Sequence, residues 1–206
     1  MSAPQIPPGG TFFDTIKESF ADVPVDAAND DAISTEQFLE AADALATLFD
    51  LLASVVFVPV KQDIQGNVKK LRDRFLAAPT DSQSIQALVV NEIKSKQHTA
   101  TEGLLWLVRG LDFTAQALRL NLSNPSEELA TSFKNAYATT LKPHHNFIVK
   151  AIFNTAMSAT PTRADFYKKL GDDQTKVDTE LRKWLSALER QVAILKAFQQ
   201  RKEAKW

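Results

Sequence analysis

Cysteine is absent from the chain, so disulfides and thiolate chemistry are excluded. Glycine is scarce, with 6 residues in 206, and no G-x-G-x-x-G occurs; the pair Gly9-Gly10 is not a phosphate loop. Neither a signal-peptide hydrophobic region nor an uncharged bilayer-spanning stretch is present, which makes the cytosol the expected compartment. There is no basic excess either. A formal net charge of -1 argues against nonspecific nucleic-acid binding. Basic residues do cluster at 61–74 and 201–205, which keeps a local contact with an anionic surface open. Alternating apolar and polar runs of strand length are missing too. What the chain has in quantity is phenylalanine, at 13 residues. Together these features predict a helical protein with a bulky apolar interior, either solidly packed or open to something apolar.

Read in order, residues 1–10 are rich in proline and glycine and are expected to be flexible. Thr11 reads as the N-cap of a first helix that turns Phe12, Phe13, Ile16 and Phe20 inward. Ser34 and Gln37 match a capping box ahead of a helix over 38–53, and a short break at 54–58 follows. Pro59 suits the first turn of the next helix, which runs to about Ala78. Gly66 inside it predicts a close approach by a neighbouring backbone or ligand. Asp81 or Ser82 opens another helix, ending near His98. The stretch 102–122 is apolar nearly all round, which places it at the centre of the domain; Arg109 and Asp112 exclude a membrane span. Ser126, His144 and Thr162 open further helices, and the last helical segment covers 177–205. No repeat or linker divides the chain. The expectation is a single all-α domain of about eight helices.

The helix opened by Pro59 carries the most suggestive pattern. Val60, Ile64, Val68, Leu71 and Phe75 share one face, while Asp63, Asn67, Lys70 and Arg74 form a polar stripe along its edge. A carboxylate, an amide and an ammonium in one row suit a hydroxyl-rich ligand, although a solvated helix flank has the same pattern. Trp106 is either core or a flat platform for a sugar ring. His145 lies beside an apolar face, as a structural histidine or as a donor to a ligand carbonyl. The adjacent His144 and His145 diverge if both are helical, and no metal set is completed. Nucleophile motifs are lacking. A carboxylate pair of Asp63 with Asp112 or Asp165 is conceivable without support from spacing.

Three motifs, FVPVKQDIQGNVKKL at 57–71, LLWLVRGLDF at 104–113 and LKPHHNFIVKAIF at 141–153, together resemble the glycolipid transfer protein family, and most closely its fungal heterokaryon-incompatibility branch. The similarity extends from about Phe12 to the C-terminus, so the resemblance implies one domain over 11–206. It also implies a two-layer helical sandwich holding one sphingolipid, with its ceramide chains in an apolar pocket and its sugar at the surface. By motif, Asp63 would accept from the ceramide amide and a sugar hydroxyl. Asn67 and Lys70 would bind the first sugar, Trp106 would stack on it, and His145 would donate to the ceramide carbonyl. Phe147 and Trp206 would meet the membrane. The implied protein is a non-enzymatic, monomeric carrier of glycosphingolipids between membranes, without cofactor, metal or nucleic acid, cytoplasmic and transiently membrane-bound. The alternatives are a ceramide-phosphate or other sphingolipid carrier or sensor, a helical protein-binding adaptor, and a glycolipid hydrolase.

Overall fold

Local signals set most of the helix boundaries in the computed structural model, which describes residues 5–52 and 57–206. Eight α-helices lie among the described residues: α1 Thr35–Leu51, α2 Val58–Ala77, α3 Ile85–Lys94, α4 Thr99–Ser123, α5 Leu129–Thr139, α6 Phe147–Ser158, α7 Arg163–Leu170 and α8 Gln174–Phe198. Ser34 precedes α1, and its hydroxyl donates to the Gln37 carboxamide oxygen. Pro59 sits in the first turn of α2, where its missing N–H costs nothing. Asn146 opens α6 by accepting from the N–H groups of Ile148 and Val149 at 3.1 and 3.0 Å.

Several boundaries differ from the sequence expectation. No first helix forms at Thr11 beyond one 3-10 turn, Phe12–Asp14. The Thr11 N–H donates to the Asp14 carboxylate at 2.7 Å; Phe12 reaches the core from that single turn and Phe20 from irregular chain beyond it. Phe20 packs edge-on against Trp184 at 5.6 Å. Tertiary burial therefore satisfies apolar spacing that local propensity reads as helical. The acidic connection after it carries an antiparallel ribbon, β1 Val25–Asp26 with β2 Ala32–Ile33, pairing Val25 with Ile33. Helix α3 starts at Ser84, because Pro79–Asp81 form a separate 3-10 turn. Helix α5 starts after Glu128. Ser126 lies in a turn braced by the Ser132 hydroxyl on the Glu127 carboxylate (2.6 Å) and Asn121 on the Glu127 carbonyl (2.9 Å). Residues 54–56 of the expected break lie outside the described residues.

Helix α4 is the central element, packed against α2, α3, α5 and α8, while α1 flanks α2 and α6 flanks α5. Its N-terminus is fixed by a group with no local signature. Glu92 of α3 is buried and accepts from the Ala100 and Thr101 N–H groups at 2.9 and 2.7 Å. A carboxylate there meets the positive end of the helix dipole. Gly171 ends α7 where a Cβ would lie 3.1 Å from the Gly10 carbonyl oxygen and 3.3 Å from Thr11 Cα. The N-terminal chain bridges onto it through Thr11. None of the described helices is long and apolar enough to cross a membrane.

Candidate functional site

Helices α2 and α4 cross closely because α4 presents a glycine there. A Cβ at Gly103 would lie 3.2 Å from Lys70 Cβ and 3.4 Å from the Asn67 carbonyl oxygen. The close approach expected at Gly66 is therefore found at Gly103 instead; a Cβ at Gly66 meets nothing within 4 Å. Where the two helices and α6 diverge, a cleft of about 380 Å³ opens. Asp63, Asn67 and Lys70 enter it from α2, Trp106 from α4, and His145 from the segment before α6. All five predicted headgroup and ceramide contacts thus line one depression. Behind them the wall turns apolar through Ile64, Leu141, Val149, Ile152 and Phe153.

The polar side is a connected row. Lys70 Nζ donates to Asn67 Oδ1 at 3.1 Å, and Asn67 Nδ2 donates to the Asp63 backbone carbonyl at 2.9 Å and its carboxylate at 3.4 Å. The amide of Asn67 is buried between its two charged neighbours and is held in one orientation. The Asp63 carboxylate reaches solvent, yet the protein packed around it raises its pKa above the ordinary 3.8; Lys70 and the Asn67 amide oppose that shift. Arg74, the fourth residue of the stripe, turns away toward Ser95 and Gln97.

Trp106 is half-buried rather than core. His145 lies nearly parallel to it, with ring centroids 6.0 Å apart and planes at 20°, and Arg109 caps the indole at 4.7 Å. The two adjacent histidines do not diverge, because the helix expected to start at His144 begins at Phe147. Lys142–His144 form a 3-10 turn and His145 is extended. Pro143 sits in that turn, and both rings consequently lie beside Trp106. Burial lowers the pKa of His145, and the charges of His144, Lys150 and Arg109 lower it further. Both influences favour the uncharged ring.

Tyr137 of α5 is a contributor that no sequence pattern indicated. Its hydroxyl lies 3.2 Å from His145 Nδ1, and burial raises its own pKa, which favours the protonated phenol. In the tautomer where Nδ1 accepts from that hydroxyl, Nε2–H is the ring's remaining donor. Only the contact itself could have revealed this, since Tyr137 and His145 sit on different elements separated by a turn.

Other candidates are dispersed. Asp112 is bound to Lys196 at 2.8 Å and to Gln116 at 2.9 Å outside the cleft, and Asp165 caps α7 with Thr162; neither joins Asp63. Phe147, Ile148 and Ile152 form an exposed apolar strip on α6 at 81%, 56% and 41% exposure. Trp206 is exposed as well but rests on His98, with ring centroids 6.1 Å apart, and lines a different depression.

A mainly helical sandwich with a cleft that is hydrogen-bonding at the rim and oily behind suits a binder of amphiphiles. The sequence profile of the glycolipid transfer protein family matches residues 33–172. A glycolipid transfer protein of Aureobasidium melanogenum is 62% identical over 200 residues, covering 97% of this chain and 98% of the relative. The crystal structure of HET-C2, a fungal glycolipid transfer protein, superposes with a TM-score of 0.93 at 61% identity over 95% of this chain and 100% of that one. The FAPP2 structure, described as selecting simple glycosphingolipids with the same fold, gives 0.83 at 33% identity over 92% and 94%. The chain belongs to the glycolipid transfer protein family.

Proposed function

We propose that this protein moves glycosphingolipids between membranes, one molecule at a time, as a monomer and without bond chemistry. The observation that carries the reading is the convergence of Asp63, Asn67, Lys70, Trp106 and His145 on one rim with the apolar wall of Val149, Ile152 and Phe153 directly behind it. A sugar lying on Trp106 would present its hydroxyls to Lys70, Asn67 and the Asp63 carboxylate. Asp63 would also accept from the ceramide N–H, while His145 Nε2–H would donate to the ceramide carbonyl.

The hydrocarbon would follow the apolar wall between α6 and the α2–α4 pair. Beyond the cleft the interior is filled by the rings of Phe113, Phe133, Tyr137 and Phe153, with Tyr137 and Phe153 stacked at 5.0 Å. Helix α6 buries only Phe153, Ala156 and Met157, so it is the wall that can move to admit the chains. Each buried methylene contributes about 0.8 kcal/mol, so a loaded carrier does not release into water and unloads at a bilayer. The strip Phe147, Ile148 and Ile152 suits shallow, reversible docking from the cytosol, beside the cleft mouth. Trp206, on another depression, would contribute at the edge of the same contact.

The test is transfer of labelled galactosylceramide between vesicles. Wild type is expected to transfer it, and Asp63→Val to lose at least about tenfold in rate with its circular dichroism unchanged. Equal rates would refute the assignment of the headgroup rim.

A further inference from the structure

Three glycines stand inside α2 and α4, where each costs the helix stability relative to alanine. Gly66 is exposed on α2, and Gly103 is demanded by the close crossing with Lys70. Gly110 of α4 differs from both. It is buried, yet a Cβ there would meet only Ile64 Cγ1 within 4 Å, at an ordinary 3.6 Å. Packing therefore leaves room for a side chain that the sequence does not supply. The room is part of the cleft, which Gly110 lines together with Ile64, Trp106, Asp63 and His145.

Its place along the helix says what the room is for. Glu102, Trp106 and Gly110 all line the cleft and, at four-residue spacing, share one face of α4. Three residues further on, Phe113 is buried against Tyr137 and Phe153, with ring centroids 6.4 and 6.2 Å away. The face thus passes from a carboxylate to a flat ring, then to a gap, then to interior aromatics. The gap lies one helical turn, about 5.4 Å along the axis, inward of Trp106.

We propose that Gly110 is a specificity-determining residue, whose missing side chain leaves the space in which the branch of a two-chained lipid is seated. The inference rests on the carrier reading and adds to it a preference for branched lipids over single-chain glycosides of the same sugar. A glycoceramide is widest at the carbon that bears the amide, next to the one that bears the sugar. With the sugar on Trp106, that carbon falls at the gap. A methyl group on residue 110 would take volume from the branch and leave the sugar platform untouched, and well-packed sites resist even one added carbon.

Wild type, Gly110→Ala and Gly110→Leu are titrated with phosphatidylcholine vesicles carrying either galactosylceramide or hexadecyl β-galactoside, which holds the same sugar on one unbranched chain. Binding is read from tryptophan emission and stability from thermal melting. Gly110→Ala is expected to melt about 2–4 °C higher, to bind the ceramide about tenfold more weakly, and to change by less than about twofold on the single-chain glycoside. Gly110→Leu is expected to widen the difference between the two lipids. Equal losses on both, or none, would overturn the assignment. So would a lowered midpoint in Gly110→Ala, since packing would then require the glycine. If Gly110→Leu melts early, Gly110→Ala stands alone, because its one added carbon meets only Ile64. Should wild type bind only the ceramide, the variants are held to that affinity, and its retention overturns the assignment. Wild type binding neither lipid would sink the carrier reading and this one together; wild type binding galactosylceramide with no selective loss in the variants sinks the role of Gly110 alone.

Discussion

In the proposed role Asp63 would have to be ionised to accept two ligand donors, yet the protein packed around it favours the protonated form. Its folded pKa is raised above the unfolded 3.8, so the folded state binds this proton more tightly. Its contribution to stability is complete below that ordinary value and is lost as pH rises through the raised one. Ligand binding runs the other way, gaining as the carboxylate forms. Asp63→Asn is expected to raise the thermal midpoint at neutral pH by up to about 2 °C, a small value because the group is open to water, while slowing transfer at least about tenfold. A lowered midpoint would show that the surroundings stabilise the charge instead. Tyr137→Phe leaves His145 Nδ1 without its hydroxyl partner and frees the tautomer; transfer is expected to fall about fivefold with a modest change in melting, read in the same two assays. At this scale the sequence was legible where spacing lies within one helix, as in Asp63, Asn67 and Lys70. It was silent on Tyr137 and Glu92, because those depend on which elements meet.

Helices α2 and α4 carry an experiment in their glycines. Gly66 faces open space, so Gly66→Ala recovers helix propensity of about 1 kcal/mol, and the midpoint is expected to rise about 2–4 °C with transfer unchanged. Gly103 is pressed against Lys70, and the same substitution there pushes the Lys70 stem aside. Gly103→Ala is expected to gain less stability than Gly66→Ala and to slow transfer several-fold, measured by melting and vesicle assay. A larger stability gain at 103 than at 66 would contradict the close crossing. Element identity was readable from periodicity in α1, α2, α4 and α8, all long and amphipathic or buried. It failed at 11–20, where aromatic spacing imitates a helix, and at His144, where Pro143 yields a 3-10 turn and an extended residue. That second failure matters to function, since a continuous helix would have sent one histidine away from Trp106.

Seen whole, the molecule keeps most of its large side chains inside but leaves α6 with its apolar side outward. Replacing Phe147 by Glu is expected to reduce vesicle association and transfer by about tenfold, with no loss in melting temperature, because the ring contributes nothing to the folded interior. Hydrogen exchange along α6 is expected to slow when lipid is bound, since chains under the helix would add the packing it lacks; exchange unchanged by cargo would place the hydrocarbon elsewhere. The outward strip has another consequence, in colloid terms. With a formal charge of -1 and a calculated isoelectric point near 6.3, two copies of the protein hardly repel one another in water. Concentrated solutions near that pH will self-associate through Phe147, Ile148 and Ile152 long before anything unfolds, so the feature suited to a bilayer also sets the ceiling on how much of this protein water can hold.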